Sequence, residues 1–278
     1  MIFSHLPMFN LPNLFTAANM LSGVMAILLA LAGRIDLAPF AVFAGALFDF
    51  LDGFAARKLK LAGEMGKQLD SLADMVTFGV APGLIMMMVM IQGGSSSALS
   101  ANREFVEGFV EVNLGFGDWL NGVLEGEQNY WLPFVAVLIP FFSLFRLAKF
   151  NIDTRQSESF IGLPTPANTL FFMSFPLALS YGSPNGFMIS VYQWLFHPLV
   201  LAALIAVMSI MLVSELPLFS LKFKSFGWAG NQIRYIFLLI SLAFIVLFTV
   251  WSLALIVFLY LILSLVETKF VKQKRNEI

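Results

Sequence analysis

Apolar residues in this chain do not alternate with polar ones; they run together in blocks of about 20, the length a helix needs to cross a bilayer. Each block is closed by charge or by Gly and Pro. A helix satisfies its own backbone hydrogen bonds in hydrocarbon, so the blocks predict spans at 12–32, 36–58, 70–91, 128–149, 166–183, 195–215, 231–250 and 251–267. The last two share the uncharged stretch Tyr235 to Val266, which is too long for one upright helix. A tight hairpin around Thr249 to Ser252 divides it, or one strongly tilted helix fills it. The pattern predicts an all-α, polytopic membrane helix bundle with about eight transmembrane helices.

Composition agrees. Of 278 residues, 59% are apolar and 12% charged, against about 25% charged in a soluble domain. The chain has no cysteine, which excludes disulfides, thiolate metal sites and a cysteine nucleophile. A net charge of -1 argues against nucleic acid as a partner. No Lys or Arg precedes Arg34 and the first apolar run is too long for an h-region, which speaks against a cleaved signal peptide.

The basic residues orient the bundle. With both termini cytoplasmic and eight spans, all of the 16 Lys and Arg except Arg34 and Arg103 fall on the inner side. Residues 93–127 then form an acidic extracytoplasmic loop, in which Phe105, Phe109 and Val112 recur at helical spacing and suggest a surface amphipathic helix. A plain solvated loop is the alternative. The expected division is a catalytic membrane domain over 1–183 and C-terminal helices with a basic tail over 184–278. There is no internal repeat to support an inverted-repeat transporter.

Against this background four aspartates stand out. Asp49 and Asp52 are at i and i+3, and Asp70 and Asp74 at i and i+4, so each pair lies on one face of its helix. A short linker makes the two helices antiparallel neighbours with the carboxylates facing each other. Charges this close to hydrocarbon signal function by default, and like charges so near one another call for a cation. Hard oxygens without His or Cys suit Mg²⁺, Mn²⁺ or Ca²⁺, and four carboxylates have room for two ions of the kind that clamp a phosphoryl displacement. Gly45, Ala46, Gly53 and Ala56 keep one side of the helix slim for a substrate or another backbone. Arg57 offers a forked phosphate donor. Taken singly, each of these residues also reads as helix packing or ion pairing.

Asp52-Gly53-x2-Ala56-Arg57-x8-Gly66-x3-Asp70-x3-Asp74, with Asp49 three residues ahead, resembles the complete signature of the CDP-alcohol phosphatidyltransferase family. That resemblance implies a helix bundle with its active site facing the cytoplasm. It implies that Asp49, Asp52, Asp70 and Asp74 bind two divalent cations, Mg²⁺ or Mn²⁺, with Asp74 also the general base. Gly53, Ala56, Arg57 and Gly66 would lie along the CDP moiety. Asn13 and Thr16, at the start of the first span, are further nucleotide contacts by this resemblance; physically they serve equally well as helix N-terminal caps.

A second cytoplasmic stretch, Phe145-Arg146-x2-Lys149-Phe150-Asn151 with Gly162-Leu-Pro164-Thr165-Pro166-Ala-Asn168, resembles the phosphatidylserine synthase branch of that family. The resemblance covers about 11–168. It implies CDP-diacylglycerol and L-serine as substrates, a bacterial inner-membrane location and a possible homodimer. Arg146, Lys149 and Asn151 become candidates for the acceptor or the lipid phosphate, with positive-inside anchoring as the alternative for the two cations. The branch commonly has Arg where Lys149 stands. His5 and His197 lie outside the motif and receive no role. The competing readings are a sister transferase using glycerol phosphate, inositol phosphate or choline, and a cation transporter.

Overall fold

A computed structural model describes residues 9–93, 115–126, 131–153, 160–182, 187–219, 227–228 and 231–276. The expected amphipathic helix over 105–112, and with it Arg103, lies outside the described residues, as do His5, Arg155, Lys222 and Lys224.

The chain begins with α1 (Leu11–Leu31), capped by the Asn10 side chain, which accepts from the Asn13 backbone N–H at 2.9 Å. The capping role therefore belongs to Asn10. A turn with Gly33 at φ 79 reverses the chain into α2 (Ala38–Leu59), which ends on Lys60 in the left-handed conformation with Arg57 and Lys58 in its last turn. After Gly63 comes one long helical run: α3 (Glu64–Asp74), a π-helical turn (Met75–Val80) and α4 (Ala81–Gly93). This run forms the axis of the molecule, with Ile85 through Ile91 all buried.

The short α5 (Phe116–Leu124) follows, then a 3-10 turn (Leu132–Val137) leading into α6 (Leu138–Ile152). Part of the acidic 93–127 stretch is thus docked onto the bundle: Trp119 is buried and its ring lies 5.0 Å from that of Phe134. Strand β1 (Phe160–Ile161) pairs antiparallel with β2 (Pro217–Leu218). Between them run α7 (Thr165–Tyr181), α8 (Phe187–Leu195) and α9 (Pro198–Val213). His197 caps α9 by accepting from the Leu199 N–H, a structural use of that histidine.

The C-terminal pair is α10 (Gln232–Phe248) and α11 (Ser252–Asn276), joined by a 3-10 turn (Thr249–Trp251) in which Thr249 has φ 42. The Phe237 and Tyr260 rings lie 6.0 Å apart across the pair, so the helices fold back on each other. By length and apolarity, five described helical runs suffice to cross a membrane, or six if α8 and α9, bent by 61°, make one span. The count of six differs from the eight apolar blocks for two reasons. The 36-residue run Gln232–Glu267 counts once by length although it contains the hairpin, and α7 has only 17 residues.

Three helices meet at Thr77 in the π turn. Its hydroxyl donates to the Asn19 carbonyl at 2.9 Å, and it is wedged between glycines of α1 and α2. A Cβ on Gly23 would stand 2.5 Å from Thr77 Oγ1 and 2.8 Å from its Cα; one on Gly45 would stand 2.6 Å from Thr77 Cγ2. Gly23→Val should therefore destabilise the fold by about 1–3 kcal/mol or more, since backbone cannot yield as a flexible side chain does. A thermal melt of the detergent-solubilised protein checks this, and an unchanged midpoint would contradict the packing described.

Candidate metal centre and nucleotide cleft

The loop between α2 and α3 is only four residues long, and it brings the two acidic helix faces together as their spacing suggests. One carboxylate oxygen from each of Asp49, Asp70 and Asp74 lies within 4.8 Å of the other two. Three negative groups at that separation repel strongly unless a cation sits among them. Asp70 Oδ1 is buried with no hydrogen-bond partner, an acceptor left open for such a cation. The donor set is all carboxylate oxygen, which fits a hard divalent ion. Asp52 stands slightly apart: it is 6% exposed, and its Oδ2 accepts from the Thr16 hydroxyl at 2.6 Å. The expected quartet is thus three converging carboxylates and one braced beside them.

The brace comes from α1. Thr16 and Asn19, at i and i+3, share a face; Thr16 holds Asp52 of α2, and Asn19 Nδ2 donates to Asp74 Oδ1 of α3 at 3.1 Å. One turn of α1 thereby sets the position of both acidic helices. The sequence marks Thr16 as a candidate and gives Asn19 no role. Asn19 is fully buried within an apolar span, and that burial of an amide is the signal that marks it.

Beside the carboxylates opens a cleft of about 210 Å³. Asn13, Thr16, Gly53, Ala56 and Gly66 all line it, and Asp52 and Asp70 form part of its wall. These are five of the six residues expected along the nucleotide. The sixth, Arg57, is exposed and lies over Gly53, where an added Cβ would come 3.3 Å from its Nη1. Gly66 faces Asn13, with 3.5 Å between an added Cβ and Asn13 Oδ1. The small residues of α2 therefore have two uses: Gly45 admits a neighbouring helix, and Gly53 and Ala56 leave the cleft open. Lys67 also lines the cleft and donates to the Asn151 carbonyl at 3.0 Å. In the sequence it stands out only as one more inner-side charge.

The acceptor candidates divide. Asn151 Nδ2 donates to Ser71 Oγ at 2.8 Å, which ties the end of α6 to the residue after Asp70. Arg146 is buried, with its Nε donating to the Leu163 carbonyl at 3.2 Å and its guanidinium 5.2 Å from the Phe150 ring centroid. Lys149 pairs with Glu215 at 3.3 Å, beyond the end of α9. Asn168 is fully buried with neither amide atom partnered, and Ser143, also buried without a partner for its hydroxyl, packs where Gly79 leaves room.

Comparison with known proteins bears directly on this geometry. A family model described as CDP-alcohol phosphatidyltransferase matches residues 9–266. A CDP-diacylglycerol--serine O-phosphatidyltransferase of Bacillus subtilis is 31% identical over 182 residues, 62% of this chain and 81% of the relative. One of the same name from Helicobacter pylori is 28% identical over 272 residues, 96% of this chain and 94% of the relative. An archaetidylserine synthase of Methanothermobacter thermautotrophicus is 29% identical over 174 residues, 62% of this chain and 59% of the relative. With the match spanning nearly all the helices, and the aspartates gathered beside a cleft lined by the motif's small residues, the chain belongs to the CDP-alcohol phosphatidyltransferase family.

Proposed function

We infer that the protein transfers the phosphatidyl group of CDP-diacylglycerol to the hydroxyl of L-serine, giving phosphatidylserine and CMP. The observation that carries this reading is the cluster of Asp49, Asp70 and Asp74 opening onto the cleft walled by Asp52 and Asp70. The serine-transferase names of relatives covering up to 96% of the chain support the acceptor.

Asp49, Asp70 and Asp74, with Asp52 beside them, are the residues to hold two divalent cations, Mg²⁺ or Mn²⁺. Divalent ions held there would supply charge neutralisation for the pyrophosphate and polarisation of the phosphorus under attack. Asn13, Thr16, Gly53, Ala56 and Gly66 seat the CDP moiety, with Arg57 as its phosphate donor. Asn19 engages Asp74 Oδ1, and Asp74 Oδ2 takes the proton from the serine hydroxyl. The serine oxygen bonds to the phosphatidyl phosphorus as the bond from that phosphorus to CMP breaks, and CMP leaves with the electron pair. Asn151, bonded to Ser71 next to Asp70, supports an acceptor site between α3 and α6, with Arg146 and Lys149 supplying positive charge.

The hairpin of α10 and α11 and the inner-side bias of Lys and Arg support eight crossings, with both termini and the active site on the cytoplasmic side of a bacterial inner membrane. On this reading 1–183 is the catalytic part and 184–278 completes the bundle.

Release of CMP from CDP-diacylglycerol by the purified protein tests the acceptor. Serine should stimulate release, while glycerol phosphate, inositol phosphate and choline should leave it at background. Stimulation by one of those alcohols and not by serine would show the acceptor to be wrong.

A further inference from the structure

The chain that leads into α7 is held by the chain that leaves α9. Phe160 and Ile161 pair with Leu218 and Pro217, the Gly162 N–H donates to the Leu216 carbonyl at 2.9 Å, and the Leu163 N–H donates to the Met211 carbonyl at 3.0 Å. Gly162 has φ 79, and a Cβ there would stand 2.7 Å from the carbonyl oxygens of both Leu212 and Ser214. Only glycine lets the two backbones approach this closely.

A β-ladder of two residues per strand is too short to hold by itself, and the strap formed by residues 211–219 is fastened at its far end. There the Tyr260 hydroxyl of α11 donates to the Phe219 carbonyl at 2.9 Å, and the Phe219 N–H donates to Ser264 Oγ at 3.4 Å. The Phe219 and Tyr260 rings lie 5.0 Å apart.

What the strap fixes is a carbonyl. Leu163 is buried, with its N–H on the strap and its carbonyl accepting from Arg146 Nε at 3.2 Å. Among the described residues that is the one hydrogen bond of the guanidinium, so the side chain follows the Leu163 peptide. The bond engages Nε and leaves the forked Nη end for an anion. The strap also carries Glu215, which pairs with Lys149 three residues further along α6. Both cations of α6 are therefore referred to one backbone segment.

We propose that the 211–219 strap is a positioning element of the acceptor site: fastened to α11 by Tyr260 and seated against Gly162, it fixes the Leu163 carbonyl and so aims Arg146. Tyr260 and Gly162 are positioning residues that act through Arg146. The proposal rests on the reading above that Arg146 serves the acceptor, and it gives the C-terminal hairpin a part in acceptor binding.

CMP release by the purified protein, measured against serine and against CDP-diacylglycerol in turn, tests it. Tyr260→Phe keeps the ring and leaves a buried carbonyl without its donor, and it should raise the KM for serine about threefold or more. The kcat and the KM for CDP-diacylglycerol should stay as they were, since the residues lining the nucleotide cleft lie on α1, α2, α3 and the loop between α2 and α3. Gly162→Ala must push the strap away and should raise the serine KM about tenfold or more. If that variant does not fold, Tyr260→Phe decides alone. Trp119→Leu, which opens a cavity beside Phe134, should lower the melting point and leave the serine KM unchanged. An unchanged serine KM in Tyr260→Phe, or an equal rise for both substrates, overturns the proposal. If serine does not stimulate CMP release by the parent, the functional reading itself has failed and the role of the strap falls with it.

Discussion

Asp74→Asn should slow CMP release by about 10³-fold or more, because it removes a general base and a charged cation ligand in one change. The substituted amide still offers an oxygen to Asn19 Nδ2, so the junction between α1 and α3 is kept and the variant should stay folded, melting no lower than the parent in EDTA. That separation of effects is what makes the experiment informative. CMP release measured by chromatography, alongside a thermal melt, checks both halves. A variant that is folded and within tenfold of the parent rate would remove Asp74 from the chemistry.

Asp49→Asn should move stability and activity in opposite directions. In EDTA the parent holds Asp49, Asp70 and Asp74 with their oxygens within 4.8 Å and no divalent cation to offset their repulsion. A neutral isostere relieves that repulsion, so the variant should melt higher than the parent when metal is absent. Adding Mg²⁺ or Mn²⁺ should then stabilise the parent, by about 2.7 kcal/mol at 100 times the dissociation constant, and the variant much less. Activity should follow the metal: lost in EDTA and restored by either ion in the parent, and low throughout in the variant. A parent whose melting point ignores divalent ions would argue that the three carboxylates are not a metal site.

The acidic residues were readable in the sequence because charge is scarce in an apolar chain. Asp49, Asp52, Asp70 and Asp74 interrupt blocks that otherwise consist of hydrocarbon-compatible residues, and helical periodicity alone puts each pair on one face. The short link between α2 and α3 supplied their antiparallel arrangement. What escaped reading depends on contacts between distant positions. Thr16 reaches Asp52 across 36 residues, and Asn19 reaches Asp74 across 55. No local pattern announces those partners, and an amide within an apolar run looks like any polar interruption.

Local signals left two places open. Asn10 and Asn13 are both good capping residues three positions apart, and only the backbone shows that Asn10 caps while Asn13 faces the cleft. Lys149, three residues after Arg146, is paired with Glu215 near β2, a partner 66 residues away that its own surroundings in the sequence do not announce. The π turn at Met75–Val80 had no sequence signature at all. It is stabilised from outside: Thr169 Oγ1 donates to the Phe78 carbonyl at 3.0 Å, and Thr77 fits between Gly23 and Gly45. The helix that carries Asp70 and Asp74 is thus aimed by residues of three other helices.

The central claim is that serine itself attacks the phosphatidyl phosphorus. It is tested most directly by incubating the purified protein with CDP-diacylglycerol, Mn²⁺ or Mg²⁺ and L-serine labelled with ¹⁸O in its hydroxyl, then analysing lipid and nucleotide together. The account predicts phosphatidylserine retaining the ¹⁸O, formed in equal amount with unlabelled CMP and only when metal is present. CMP released without labelled lipid, or labelled lipid formed equally well in EDTA, would contradict it.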